Sequence, residues 1–495
     1  MARSPIHALF LAKESIFSRI VERAVLSSKQ KSLRINLDKK IYGTFSEIGA
    51  GQEVSRHFFR VGGASNTIAK AMSAYDKEFS DAIYGAEEHH RYVCRPRLDK
   101  MLDHEWQLIT DRLHEERQQN STFFSFANTV ATIDYKKRFD GHGWVGIQFQ
   151  SSPQKTHNRV ILHIRPLETE AQFQQESIGI LGVNLIYASF FYYKNVDDFL
   201  ESLMDNLSSD KMEIDTIEMT GPDFEHVDNR LLSLKLVKNG FTSAVIFSPD
   251  GVNVHPSEVL YKKNILAIRG SFRPVTKVNL DMIVNGYNEF IKDPKVDKEN
   301  LQVLFEITLN NLLMEGGVDE QDFLDRADIL CSLGQTVMIS NYRKYYKLTE
   351  YLSKFTDKRM GFIMGIDHLM EVFNEKYYRN LNGGMLEAFG ILFTRDIKIY
   401  LYPLKDRNTG ELVNSSNIDI HPRVRPLYDY LMFNKRVVDL QNIDQSVLGI
   451  FSKEVLRMIR CGEAGWEDMV PTYVDIIIKK NKLFGYEPNK EKEES

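Results

Sequence analysis

The densest run of side chains able to hold a ligand lies at 248–277, SPDGVNVHPSEVLYKKNILAIRGSFRPVTK. Arg269 ends an apolar run that reads as a strand, and Gly270-Ser271 follow it. In open α/β sheets, ligands sit outside the carboxyl ends of strands. A guanidinium offers forked donors that match phosphate or carboxylate, and a serine adds a hydroxyl. The run therefore predicts an anion site built from Lys262, Lys263, Arg269, Ser271, Arg273 and Lys277. Asp250 is its candidate base or ligand for a Mg²⁺ cofactor. On this reading Arg269→Ala abolishes ligand binding and leaves the fold intact. The competing arrangement is a surface turn whose arginines pair with Asp250, Glu258 or Asp281.

Two further strings carry chemistry. Ser340-Asn341-Tyr342-Arg343-Lys344-Tyr345-Tyr346-Lys347 follows a short β-branched run and opens a helix. Ser340 or Asn341 can cap that helix, and Asn341 and Arg343 are secondary anion contacts. Aromatic and basic residues so interleaved can also stack on single-stranded nucleic acid, although a solvated helix face explains the run more simply. The second string is Glu47-Ile48-Gly49-Ala50-Gly51, where Gly49 and Gly51 let the backbone approach a phosphate or ribose. Its E-x-G-x-G pattern resembles the first motif of S-adenosylmethionine-dependent methyltransferases. It departs where Glu53 stands for the third glycine, where Lys40–Ser46 is not a clean apolar strand, and where Ala69-Lys70-Ala71 offers no acidic residue. A glycine turn into a helix at 52–60 accounts for it. His89-His90 and Cys94 fit no zinc spacing, and His142 sits in a turn. No GxSxG, HExxH or GxxxxGK[ST] string occurs.

The elements that must position these residues follow from periodicity. Residues 1–120 read mostly as helices, including 66–84 and 97–119 and an amphipathic segment before Val25. Strands are expected at 122–133, 144–149 and 160–164, and the apolar run Ile178–Tyr193 reads as another. Strand–helix alternation then runs through 214–219, 228–238, 244–247, 265–269 and 279–291. Helices at 299–314 and 319–332, a strand at 336–340, a helix at 342–354 and strands at 361–366 and 397–402 follow. The expected class is α/β: a mixed or parallel sheet core, a helical N-terminal region and a helix-rich C-terminal region. The expected division is 1–120, an α/β domain at 121–295, a second α/β domain at 296–486 and a disordered tail at 487–495.

Composition bounds the function. In 495 residues, 43% are hydrophobic and 26% charged, which excludes a disordered or collagen-like chain. The net charge of −5 gives no chain-wide footprint for nucleic acid, so nucleic acid is not an expected partner. Three scattered cysteines form no disulfide framework and fit a reducing cytoplasm. No run approaches an uncharged membrane span, so no membrane partner is expected.

Longer strings carry a resemblance. INLDKKIYGTFSEIGAGQEVSRHFFRVGGAS, PSEVLYKKNILAIRGSFRPVTKVNLDM and MISNYRKYYKLTEYLSKFTDKRMGFIMG resemble a widespread bacterial family of similar length, over nearly the whole chain. Its members carry two conflicting names, nicotinamide/nicotinate mononucleotide adenylyltransferase and TonB-dependent receptor. The helical segments contradict an outer-membrane barrel. The H-x-G-H string of adenylyltransferases is missing, and Gly141-His142-Gly143 has one histidine in another frame. The resemblance therefore implies nucleotide chemistry only, with no catalytic residue carried over. The sequence points to a cytoplasmic protein that binds a phosphorylated or nucleotide-like ligand, with transferase chemistry as its enzymatic form. The alternative is a non-enzymatic scaffold or homo-oligomer.

Overall fold

The computed structural model describes residues 23–117, 119–137, 140–313, 319–406 and 409–487. The amphipathic helix expected before Val25 lies outside the described residues except at 23–25, and the expected tail lies outside them except at Glu487. The chain forms two units. One runs to Met212 and includes Met219–Glu225; the other comprises Glu213–Glu218 and the chain from His226 onward. The fold is α/β, as expected.

The first unit opens with α1 (Ser28–Leu37), β1 (Ile41–Gly49) and α2 (Glu53–Val61). β2 (Ile68–Met72), α3 (Lys77–Tyr84) and α4 (Arg95–Arg117) follow, and then β3 (Thr122–Ala131), β4 (His142–Phe149) and β5 (Asn158–Pro166). These five strands are neighbours in the order β2-β1-β3-β4-β5, with β1 parallel to both β2 and β3 and the other pairs antiparallel. The region expected to be helical thus supplies two strands. β1 escapes an apolar pattern because Thr44 and Ser46 are buried beside Phe45, and the Ser46 hydroxyl is satisfied by Tyr84 at 2.6 Å. α5 (Ala171–Phe191) and α6 (Val196–Leu203) close the unit.

α5 replaces the strand expected over 178–191. Its apolar residues point all round because it is buried along its length, so no helical stripe shows in the sequence. Length is the better guide: the element runs 21 residues, whereas the buried β3 runs 10. Gly182 lets α2 approach closely: a Cβ there would lie 2.4 Å from a Val54 methyl. No helix among the described residues is long and apolar enough to cross a membrane.

β6 (Met212–Thr220) spans the boundary between the units. The second unit then runs α7 (Asn229–Lys238), β7 (Ala244–Phe247), β8 (Asn253–Val254), β9 (Asn264–Arg269), α8 (Lys277–Phe290) and β10 (Leu301–Thr308). α9 (Glu320–Ser332), β11 (Thr336–Ser340), α10 (Tyr345–Leu352), β12 (Met360–Gly365) and α11 (Ile366–Val372) follow. The chain continues through α12 (Gly384–Leu392), β13 (Lys398–Tyr402), α13 (Arg425–Phe433), β14 (Val437–Asp439), α14 (Ser452–Cys461) and α15 (Val474–Asn481). The sheet order is β14-β13-β12-β9-β10-β11-β7-β8. Strands β9 to β14 are mutually parallel, and β7 and β8 form an antiparallel edge.

The chain winds outward from β9 through β10 to β11, crosses back to β12 beside β9, and winds outward the other way. α8, α9 and α14 cover one face, and α10 to α13 cover the other. Each central strand therefore faces apolar side chains on both sides: Leu266 and Ile268 of β9 enter one core, Ile265 and Ala267 the other. This doubly covered geometry produced the one large misreading in the unit. Residues 299–314, expected as a helix, hold β10, whose apolar run is interrupted only by Gln302 and Glu306 at helix-like spacing. Because β9 and β10 are neighbours in one sheet, no domain border falls at 295.

Candidate functional site

The winding reverses between β9 and β12, so the loops leaving their carboxyl ends diverge and leave a crevice. A cavity of about 610 Å³ occupies this end of the sheet. Arg269 at the end of β9, Thr308 at the end of β10 and Asn311 after it, Arg343 to Tyr345 after β11, and Asp367, His368 and Glu371 on α11 line it. Tyr377, Tyr378 and Lys453 complete the wall.

Arg269 is the floor of this site rather than its clamp. Its Nε and Nη2 donate to the two oxygens of Glu306 at 2.8 and 2.9 Å. Nη2 also donates to the Tyr342 carbonyl at 2.8 Å, and Nη1 to the Arg343 carbonyl at 3.3 Å. Glu306 is fully buried and accepts a third bond from Ser340 Oγ at 2.5 Å. The Arg269 guanidinium lies 4.3 Å from the centre of the Tyr345 ring. Its charge is answered inside the protein, and its bonds fix the 341–344 loop.

That loop presents the exposed cations. Arg343 and, on α14, Lys453 reach the cavity, and neither forms an ion pair among the described residues. Lys344 stands 3.0 Å from the centre of the Tyr377 ring. Burial lowers the Lys344 pKa, partly offset by Glu371. Burial also lowers the His368 pKa, which keeps the imidazole neutral near pH 7. The Tyr345 hydroxyl is buried without a hydrogen-bond partner. Cations, a neutral imidazole and tyrosine faces around one crevice suit an anion attached to a ring.

The residues expected to act together are divided. Lys262 and Lys263 precede β9, whereas Arg269, Ser271, Arg273 and Lys277 lie at or beyond its other end. A six-residue strand spans about 20 Å, which separates the two sets. Asp250 sits exposed in the turn between β7 and β8. Because β7 runs antiparallel to β11, that turn lies at the amino-terminal edge of the parallel strands, away from Arg269. Arg273 is paired with Asp322, which also binds the buried Arg326. Arg326 Nη1 in turn holds the Ser271 carbonyl at 3.1 Å. The arginines do pair with carboxylates, but with Glu306 and Asp322 rather than with Asp250, Glu258 or Asp281.

Neither Ser340 nor Asn341 caps a helix. α10 begins only at Tyr345, and the Asn341 N–H donates to the Ser243 carbonyl at 2.8 Å. Arg343 is the sequence-predicted residue that lines the cavity with an exposed charge. His368 and Glu371 were missed. The strand-end rule applied to the run ending near Ile366 would have found Asp367 and His368, while nothing in the sequence links Lys453 to them.

The glycine string lies in the first unit. Gly49 has φ +74°, and a Cβ there would lie 2.2 Å from the Val130 carbonyl oxygen. A Cβ on Gly51 would strike the Asn128 amide at 1.8 Å. The N-terminus of α2, where a phosphate would sit, is already occupied by Glu47. Its carboxylate accepts from the Val54 N–H at 3.1 Å and from Ser55 Oγ at 2.6 Å. Burial pushes the Glu47 pKa up to about 7. A separate cavity of about 450 Å³ is lined by Gly49, Gln52, Lys77, Ser80 and Tyr92. The side chain of His89 lies outside the described residues.

No protein-family model matches the sequence, and no curated protein is similar to it. Solved structures give partial likenesses. The competence/damage inducible protein CihA from Agrobacterium tumefaciens is 13% identical, over 36% of this chain and 94% of its own, with a TM-score of 0.22. A competence-damaged protein (CinA) superfamily protein from Enterobacter cloacae is 11% identical, over 35% of this chain and 97% of its own, with a TM-score of 0.24. A competence or damage-inducible protein from Enterobacter asburiae is 11% identical, over 32% of this chain and 94% of its own, also at 0.24. At these scores nothing about those proteins transfers to this one.

Proposed function

We propose that the second unit binds a phosphorylated, nucleotide-like ligand in the crevice at the carboxyl ends of β9 to β12. One observation carries this reading. The Arg343, Lys344 and Lys453 side chains meet tyrosine rings in a cavity of about 610 Å³ at the point where the winding reverses. Arg343 and Lys453 would meet the anion. Asn311, whose Nδ2 holds the Gly270 carbonyl at 3.3 Å, keeps an oxygen for a ribose hydroxyl.

Thermal unfolding of the full chain tests this, against nucleotides, dinucleotides, S-adenosylmethionine and sugar phosphates, with and without Mg²⁺. A ligand at about 100 times its dissociation constant adds about 2.7 kcal/mol, enough to shift the melting point visibly. The expected result is a shift with nucleotides that is lost in Arg343→Gln/Lys453→Gln. No shift across the panel refutes the proposal and turns attention to assembly, by light scattering.

A further inference from the structure

The cavity is not uniformly basic. Asp367 and Glu371 stand four residues apart on α11, so they project from the same side of the helix. Both line the cavity, both are exposed, and neither forms an ion pair among the described residues. His368 lies between them in sequence with its ring kept neutral by burial. Facing them are Arg343 and Lys344, delivered by the loop that Arg269 and Glu306 fix. A purely anionic ligand would meet two exposed carboxylates here, of which Glu371 feels the charge of Lys344. A ligand that also carries N–H donors would turn those same carboxylates into acceptors, and charge-assisted bonds of this kind are the strong ones.

We infer that the ligand of this cavity carries an exocyclic amino group as well as its phosphate, with Asp367 and Glu371 reading the amine. This rests on the binding proposed above and adds the chemistry that selects among nucleotides. Carboxylates accept hydrogen bonds from the amino groups of bases and repel the carbonyl oxygens that replace them. The pairs that report this difference are AMP against IMP and CMP against UMP, in which the exocyclic amino group becomes a carbonyl and the adjacent ring nitrogen gains an N–H.

The test is isothermal titration of the full chain with these four nucleotides and with inorganic phosphate. It is repeated on Asp367→Asn/Glu371→Gln, whose substituted side chains are exposed and whose folding is checked by circular dichroism. The expected result is that AMP and CMP bind about tenfold tighter than IMP and UMP. In the double variant that ratio falls to near one while phosphate still binds. Equal affinities within each pair in the native chain overturn this inference and leave the phosphate reading standing. A preference that persists in the double variant overturns the assignment to Asp367 and Glu371. If neither phosphate nor any nucleotide binds the native chain, the ligand-binding proposal falls and this one falls with it.

Discussion

Removing the Arg269 guanidinium should damage the fold of the second unit, not merely its ligand affinity. In Arg269→Ala the Glu306 carboxylate keeps its burial, with no exposed surface, and loses two of its three hydrogen bonds. Stripping one partner from a buried ion pair costs about 3–5 kcal/mol, chiefly because the other charge is left uncompensated. The carbonyls of Tyr342 and Arg343 lose a donor as well, each worth about 1 kcal/mol. Replacing both partners removes that uncompensated charge, so Arg269→Met/Glu306→Met should cost less than Arg269→Ala alone. Urea unfolding can isolate the effect to this unit. Of the three tryptophans, Trp466 is buried in the second unit's core, so a Trp106→Phe/Trp144→Phe background makes fluorescence report that unit. The reasoning is refuted if Arg269→Ala costs under about 1 kcal/mol, or if the double replacement costs as much as the two single ones together.

Three other outcomes follow from the same geometry. Arg343→Gln should weaken phosphate binding and flatten its salt dependence without moving the melting point; a melting point lowered by several degrees would mean that Arg343 is structural. Glu47 holds a pKa of about 7 against an ordinary 4.5, so its contribution to stability is present at low pH and is lost as pH rises through about 7. That difference corresponds to about 3 kcal/mol, and Glu47→Gln should therefore flatten the fall in melting point between about pH 5 and about pH 7; an unchanged slope assigns it to another group. Gly182→Ala should destabilise the first unit by about 1–3 kcal/mol through collision with Val54, and a neutral effect on thermal unfolding would show that α2 can move away.

Much of the second unit was legible because its chemistry repeats. Ala244–Phe247 and Thr336–Ser340 are short, β-branched and bounded by polar turns, and the structure has strands at those residues. The helices near 229–238 and 277–290 show apolar residues at helical spacing because each packs one side on the sheet. The failures fall where both sides are covered. α5 is apolar around its circumference, so periodicity carries no information about it, and in β10 the only polar interruptions before its end, Gln302 and Glu306, fall at helical spacing. β1 failed for the opposite reason. Its buried Ser46 hydroxyl and Glu47 carboxylate bond to residues far away in sequence, Tyr84 and Asn128, which no local window contains.

The site failed in a more instructive way. The sequence showed that a cation ends β9, and strand ends are where ligands bind, but the rule says nothing about whether that cation is free. Glu306 lies on the neighbouring strand 37 residues later, and register places it directly beside Arg269. Two opposite charges at paired positions in a buried parallel sheet neutralise each other, so Arg269 is consumed in building the loop after β11. Its consequence is felt one layer out, where that loop offers Arg343 and Lys344 to the crevice. A strand-end arginine is therefore informative only after the residue opposite it in the next strand is known. With an acid there, the anion-binding charge must be sought on whatever loop the arginine holds.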